Sequence, residues 1–444
     1  MLCLCANIYN SDTILRMAKT PEDRTPPSST GAAATPPKDE TTENIRGFAS
    51  LKFPDFRLLW LTGPISAAGQ SMRGFANAYQ VYEITGSTAQ LGFTFLFQAI
   101  PSLVFSMFGG TLADIFDRKK LININQVFQV GIALFLGFLT LSGNIQVWHI
   151  YVITFFAACM GQLELPARQS IIPSIVPRAY LMNASTLSLT TQRISMLIGP
   201  SLAGIAVSAV GVSSAYFFNA ILILPAVFVI RRIKLMDAQR RPVKLNFGTI
   251  FEGLHFAIAS KVLIAFLLLD FIAQTTGYYQ AMAPAIAKDI LGQGPVGLGI
   301  LMSAPAFGSL AGFITLLMIG TIKRKGLAII LSVLAWSALL AVFARSEIFM
   351  LSLVLAGALG FVDSIQMAIR QTSLQLLAPN EKRGRVMAVN SIFSGSANSL
   401  GGAYMGILAS FIGIPTALTI GAIIGASLSL SYLLFWKKVR DFTG

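Results

Sequence analysis

Charge is what this sequence has least of. Asp, Glu, Lys and Arg make up 12% of its 444 residues, about half the share found in an average soluble domain. A soluble chain of this length would have too much surface to cover with so few charges. Histidine and cysteine are nearly missing as well. His149 and His255 stand far apart near the ends of apolar runs; Cys3 and Cys5 lie close to the N-terminus and Cys159 sits inside an apolar run. That leaves no zinc spacing, no disulfide framework and no parts for a catalytic triad. A phosphate loop of the Gly-x-x-x-x-Gly-Lys kind is absent too, so the chain does not itself use ATP. No enzyme activity, metal or cofactor is expected. The net charge of +14 raises nucleic acid as a partner. No soluble segment interleaves basic and aromatic residues, however, and the basic clusters fall only between apolar segments, which excludes it.

What is there is apolar: 54% hydrophobic residues and a mean hydropathy of +0.69. Residues 84–113, 121–163, 194–230, 290–322 and 386–436 carry no Asp, Glu, Lys or Arg. About 20 apolar residues suffice to span a bilayer, so the chain is expected to be an all-α, multi-pass membrane protein. Twelve spans are predicted, at 56–82, 88–113, 119–142, 146–172, 180–210, 213–232, 258–284, 294–319, 325–344, 348–376, 382–412 and 415–436. The connectors alternate in character. One set holds Arg118, Lys119 and Lys120; Arg178; Arg231 to Lys244; Lys323, Arg324 and Lys325; and Lys382, Arg383 and Arg385, together with both termini. The other set holds only Lys288 and Arg345 of the 33 basic residues. The positive-inside rule therefore places both termini in the cytoplasm and makes the number of spans even.

Residues 1–45, rich in Pro, Thr, Ser and acids, cannot bury a core and are expected to be a disordered cytoplasmic tail. MLCLCANIYN lacks the basic region of a signal peptide, and Met17 is an alternative start. The body repeats at an offset of 202 residues. Arg168-Gln169-Ser170 answers Arg370-Gln371-Thr372, and Pro177, Gly199, Gly204 and Gly211 answer Pro379, Gly401, Gly406 and Gly413. Two six-helix halves follow, at 52–232 and 258–437, with a cytoplasmic linker at 233–257 and a short tail at 438–444. Within Phe247–Ala259, residues Ile250, Phe251, Leu254 and Ile258 share one helical face, as in an interfacial helix. Parallel halves are a transporter architecture, with the substrate site between them near the bilayer midplane.

The connector after the second span reads Gly109-Gly110-Thr111-Leu112-Ala113-Asp114-Ile115-Phe116-Asp117-Arg118-Lys119-Lys120. It resembles motif A of the major facilitator superfamily, Gly-x-x-x-Asp-Arg-x-Gly-Arg-Arg. Gly110, Asp114, Arg118 and Lys119 match, whereas Ile115 and Asp117 stand where Arg and Gly are usual. Asp117, with FRLLWLTGPIS, YEITGSTAQLG and PARQSIIPSIVP, is similar to the efflux branch that includes the enterobactin exporter. Gly199-Pro200-Ser201-Leu202-Ala203-Gly204 resembles the core of motif C of antiporters and exporters. The resemblance implies alternating access, a conformational latch at motif A, and export of a small molecule in exchange for protons by a monomer. Uptake symport, lipid flipping or a transport-inactive sensor on the same fold are the alternatives. For the two motifs, the plainer readings are a basic topology loop and small-residue packing.

Polar residues inside spans are costly and usually face a cavity. Ser66, Gln70, Arg73, Asn77 and Gln80 recur at spacings of three and four on one face of the first span. Arg73 lies about 24 Å along the helix from Arg57 and either lines the cavity or snorkels outward. Asp270, Gln274 and Tyr278 share a face of the seventh span. Asp270, about 13 Å past Lys261, is placed to carry a proton or to pair statically with Arg73 or another base. Glu164 and Arg168, and Asp363, Gln366 and Arg370, give each half an acid with a following Arg. These form either an internal salt bridge or an exchanging gate. Glu164 and Asp363 are the further proton-coupling candidates. Arg193 shares a face with Thr186 and Thr190 and either completes the cavity or holds a carbonyl. If the acid–Arg pairs neutralise themselves, Arg73, Arg193 and Asp270 remain, which favours an amphipathic or anionic organic substrate of the drug or siderophore type. Phe95, Phe97, Tyr79, Tyr278 and Tyr279 are candidates for its apolar walls.

Overall fold

The protein is described from a computed structural model covering residues 47–115, 117–233, 255–320, 322–379 and 382–443. Among the described residues there is no strand, and twelve helices have 17 residues or more. They are α1 (Pro54–Thr85), α2 (Thr88–Ile115), α3 (Arg118–Leu141), α4 (Val147–Ile175), α5 (Leu181–Val210), α6 (Val212–Arg232), α7 (Lys261–Gly277), α8 (Pro295–Ile319), α9 (Lys325–Phe343), α10 (Phe349–Leu377), α11 (Arg383–Ile412) and α12 (Ile414–Phe435). Most bounds fall within three residues of those expected. Ten helices are long and apolar enough to cross a membrane. α1 and α11 fall short, because α1 carries the polar stripe and α11 is rich in Ser, Gly and Asn.

Local signals set the ends. Asp117, the departure from motif A, caps α3: its side chain accepts from the Lys119 and Lys120 backbone amides at 3.0 and 3.1 Å, satisfying donors that a helix start leaves orphaned. Gly211 and Gly413, partners in the repeat, break α5 from α6 and α11 from α12 at φ of 97° and 80°, a conformation favourable only to glycine.

The seventh span differs from expectation. It was expected to run unbroken to 284, but α7 stops at Gly277. A 3₁₀ turn (Tyr279–Met282) and a π-helical turn (Ile286–Ile290) follow. Pro284 lacks an N–H and its ring crowds the carbonyl four residues back. The linker and its interfacial helix lie mostly outside the described residues. Of that face only Ile258 is placed: it is exposed, while neighbouring Ala257 is buried beside Leu263 and Leu374. The N-terminal segment 1–45 is also outside the described residues. The C-terminal end is not a loose tail. Val439 is buried, and Phe442 packs edge-on to Phe266 at 5.8 Å while accepting from the Gly326 amide at 3.0 Å.

α1 packs on α5 and α6, α2 on α4, and α3 on α6 and α4. In the second set, α8 packs on α10, α9 on α10 and α12, and α7 on α11 and α12. Two helix pairs join the sets, α2 with α11 and α5 with α8. Large apolar side chains such as Phe135, Phe138, Ile221, Phe228 and Val354 point outward and are exposed, the reverse of a soluble surface and suited to lipid tails. Below, the face bearing the start of α1 and the end of α12 is the terminal face; the opposite one is the far face.

Candidate transport cavity and its closures

Glycines decide where the two helix sets meet. A Cβ on Gly299 would lie 2.6 Å from the Pro200 carbonyl oxygen, and one on Gly204 would lie 2.5 Å from that of Pro295. The motif C segment is thus pressed against α8. Its Gly199 faces α1 equally closely, with Ser71 Cβ 2.5 Å from where a Cβ would stand. Ser201 and Ser303 hydroxyls meet at 2.8 Å across the same seam. Repeat partners Gly401 and Gly406 do the corresponding work on α11. Gly406 lies against Gly92 of α2, Gly402 against Phe95, and a Cβ on Gly401 would stand 2.9 Å from the Gln274 carbonyl oxygen. Gly199–Gly204 and Gly401–Gly406 therefore build two pseudo-equivalent seams in the far-face part of the molecule.

Polar contacts close the far rim. Lys288 Nζ meets Glu83 Oε2 at 3.0 Å, and the Tyr82 hydroxyl donates to Asp289 Oδ2. The Ser201 hydroxyl contacts also run between the two helix sets. On the terminal face, two basic side chains of the first set reach main-chain carbonyls of that set. Arg118 Nη1 donates to the Ser170 carbonyl at 3.4 Å, and Lys119 Nζ to that of Ile233 at 2.8 Å, at the negative end of α6. Of the remaining motif A residues, Gly110 and Asp114 lie on α2, but their side chains are outside the described set. The same holds for Arg193 on α5.

A cavity of about 440 Å³ occupies the terminal-face half, bordered by Trp60, Ser66 and Gln70 of α1, Glu164 and Arg168 of α4, and Thr191 of α5. All its walls come from the first six helices, whereas a site between the halves was expected. The expected Glu164–Arg168 pair is present at 2.6 Å. Glu164 also accepts from Gln126 Nε2 at 2.8 Å and from Asn125. Arg73 donates to Gln129 of α3, whose amide reaches Asn125 Oδ1 at 3.5 Å, so a chain of polar groups connects Arg73 to Glu164. Trp60 Nε1 donates to Thr191 Oγ1 at 2.8 Å.

The α1 stripe divides. Ser66 and Gln70 border the cavity, but Asn77 and Gln80 are stitched into the first helix set: the Tyr216 hydroxyl sits 3.0 Å from Asn77 Oδ1 and 2.8 Å from Gln80 Oε1. Asn125, Gln126 and Gln129 were not singled out from the sequence. The signal existed, since amides within the apolar run of α3 must find partners.

The second set corrects one pairing. Arg370 was grouped with Asp363 on its own helix, and Asp270 was read as a proton carrier or as the static partner of Arg73 or another base. Instead, Arg370 Nη1 lies 2.9 Å from Asp270 Oδ2, with both side chains 4% exposed. It also donates to Asn390 Oδ1 at 2.7 Å and Ser394 Oγ at 3.1 Å, while Asp363 Oδ1 accepts from Gln274 at 2.8 Å. The reason is register: Asp270 and Arg370 reach the same level of α7 and α10. The aromatic candidates pack against other rings rather than around the cavity. Phe97 stacks on Tyr151 at 5.1 Å, Tyr79 on Phe75 at 6.0 Å, Tyr279 meets Phe343 at 4.9 Å, and Tyr278 meets Phe95 across the seam at 5.8 Å.

The sequence profile of the transmembrane secretion effector family matches residues 45–441. The chain belongs to this family of major facilitator transporters. It is 24% identical over 396 residues to the enterobactin exporter EntS of Shigella boydii, covering 87% of this chain and 94% of the relative. The EntS protein of Escherichia coli O1:K1 gives the same figures. Its fold is similar to that of the nucleoside transporter NupG (TM-score 0.67, 15% identity, 86% of this chain and 99% of the other). It is similar also to a bacterial homolog of the human lysosomal transporter Spinster in an inward-facing, unoccupied conformation (TM-score 0.67, 13% identity, 90% and 100%). The chain is thus a multi-pass membrane protein and a secondary transporter of small molecules, not an enzyme.

Proposed function

We propose that this transporter is a proton-coupled exporter that takes amphipathic small organic molecules, drug- or siderophore-like, from the cytoplasm and releases them at the far face as a monomer. The observation that carries the reading is the pairing of a cavity on the terminal face with a far face closed by two glycine seams and a polar rim. The basic connectors lie on the terminal face, which supports a cytoplasmic assignment for it and for both termini. Export is supported by the likeness to exporters of enterobactin and by the motif C segment lying in a seam. Rocking of residues 52–232 against 258–437 about those seams would carry the cavity from one face to the other. Asp114, Arg118 and Lys119 would act as a terminal-face latch of the opposite conformer. Gln70, Arg73, Arg168 and Arg193 are the candidates for holding polar groups of the substrate. Glu164, Asp270 and Asp363 are the candidates for the proton.

The test is accumulation of a compound panel, including enterobactin, other catechols and lipophilic cations, in cells with and without the protein. A compound whose retention falls with the protein present is then taken into proteoliposomes under an imposed pH difference. Asp270→Asn is expected to keep exchange and lose uphill accumulation. Import of every responsive compound, or accumulation indifferent to the pH difference, refutes the reading.

A further inference from the structure

The terminal-face corner where α3 begins and α6 ends is built of cations. Lys119 and Lys120 stand in the first turn of α3, and Arg231 and Arg232 in the last turn of α6. The two helix ends are laced together there. Lys119 Nζ donates to the Ile233 carbonyl at 2.8 Å, and Arg231 Nε to Asn123 Oδ1 at 3.1 Å; the Asn123 amide donates to the Val227 carbonyl at 2.9 Å. Among the described residues, none of the four cations is paired with an acid. Asp117 turns its carboxylate to the Lys119 and Lys120 backbone amides instead. A cation suits the end of α6 but opposes the dipole at the start of α3, and like charges gathered in one place repel. An anion seated on the corner relieves both costs.

Apolar stripes run away from these cations. Lys120, Ile124 and Val127 recur at spacings of four and three along α3, and Arg231, Phe228 and Leu224 at three and four along α6, which puts each set on one helical face. All six are exposed. Each helix thus offers outward a charge at its terminal-face end and hydrocarbon beyond it. The second set shows what its own corner takes. α9 and α12 hold there the places of α3 and α6, and they too pack together. The chain's own end fills that corner: the Phe442 carbonyl accepts from the Gly326 amide at 3.0 Å, and the Thr443 carbonyl from Lys325 Nζ. It also brings an acid. Asp441 Oδ1 lies 3.0 Å from Arg440 Nε, and Arg440, with Arg324 and Lys437 adding to it, holds the carboxyl below its usual range.

We infer that the α3–α6 corner is a binding site for an anionic phospholipid, whose phosphodiester is held by Lys120, Arg231 and Arg232 and whose acyl chains lie along Ile124, Val127, Leu224 and Phe228. Lys119, committed to the Ile233 carbonyl, adds charge rather than a contact. The lipid gives α3 and α6 the negative charge that Asp441 gives the corner of α9 and α12. Unesterified phosphate oxygens accept from several cationic donors at once, and cations at the end of a span stand at headgroup level. The unpaired charge selects against phosphatidylcholine, which carries its own cation. The site needs no transported compound and no direction of transport, so it stands or falls apart from the export reading.

The test is native mass spectrometry of the purified full chain, stripped of lipid in detergent and titrated with phosphatidylglycerol or phosphatidylcholine. Phosphatidylglycerol is expected to bind more tightly than phosphatidylcholine. Lys120→Gln and Arg232→Gln should each weaken it about fivefold, and together roughly 25-fold. Arg324→Gln/Lys437→Gln takes the same charge from the α9–α12 corner and should leave the affinity unchanged. Phe228→Ser should weaken the lipid through its acyl chains. Thermal unfolding checks the fold of each variant, and the comparison of the two lipids on the wild-type chain carries the test if a variant fails to fold. Equal affinity for the two lipids, equal losses from the two double variants, or an affinity indifferent to Phe228→Ser overturns the inference. So does displacement of phosphatidylglycerol by inorganic phosphate at equal concentration, which makes the corner a site for the free anion.

Discussion

Removing the Tyr82 hydroxyl is expected to open the far face. Tyr82 is buried and donates to Asp289, whereas Asp289 is exposed. A hydrogen bond to a charged acceptor contributes about 1.5–3 kcal/mol, and the exposed acceptor argues for the lower end. Since about 1.4 kcal/mol is tenfold, Tyr82→Phe should raise the far-open population roughly tenfold. The neighbouring Lys288–Glu83 pair has side chains 52% and 48% exposed, so about 0.2–1 kcal/mol is its range; Lys288→Met should change the population less than about fivefold. The assay is labelling by a membrane-impermeant maleimide of Ser303→Cys, in a chain whose own cysteines have been replaced. Ser303 is 1% exposed and lies in the α5–α8 seam, so its labelling rate reports opening. An unchanged or slower rate in Tyr82→Phe, or a larger effect from Lys288→Met, would refute the reasoning that the buried hydroxyl, rather than the exposed ion pair, holds the rim.

Arg370→Ala leaves Asp270 buried without its cation and should cost about 3–5 kcal/mol, read as a fall in detergent unfolding temperature; the double variant Asp270→Asn/Arg370→Met should recover much of it. Gly406→Val forces a branched side chain against Gly92, and overpacking costs about 1–3 kcal/mol; Ser303→Cys should then label faster without loss of expression. For topology, Gln293→Cys should label from outside intact cells and Gln239→Cys only after permeabilisation, and labelling of Gln239→Cys in intact cells reverses the orientation.

The span boundaries were legible because charge is so scarce: a lone Lys or Arg between long apolar runs marks a connector within a few residues. Asp117 was legible as a departure from a pattern but not as a cap, since capping depends on the backbone angle where α3 begins. The break after Gly277 was written in Gly277 and Pro284, but unbroken hydropathy concealed it. Asp270 was correctly singled out as a buried acid, yet its partner was not. A stripe on one helix says which way a side chain faces along that helix and nothing about the level of its neighbour. For the same reason the α1 stripe read as one surface, although Tyr216, on a helix 139 residues away, claims its far part.

The seams also bear on how fast such a molecule can turn over. Where α2 meets α11 and α5 meets α8, main chain lies on main chain, as Gly299 under the Pro200 carbonyl illustrates. Interlocked side chains would have to unmesh before two bodies could tilt, and each would add its own friction. Bare backbone behaves more like a pair of smooth rollers. The resistance to rocking is then concentrated at the ends of the rollers, in a few polar contacts at the rim. A fold arranged this way can have its rate tuned by single substitutions at Tyr82, Glu83, Lys288 or Asp289, while bulk added at a seam glycine pries the bearing apart.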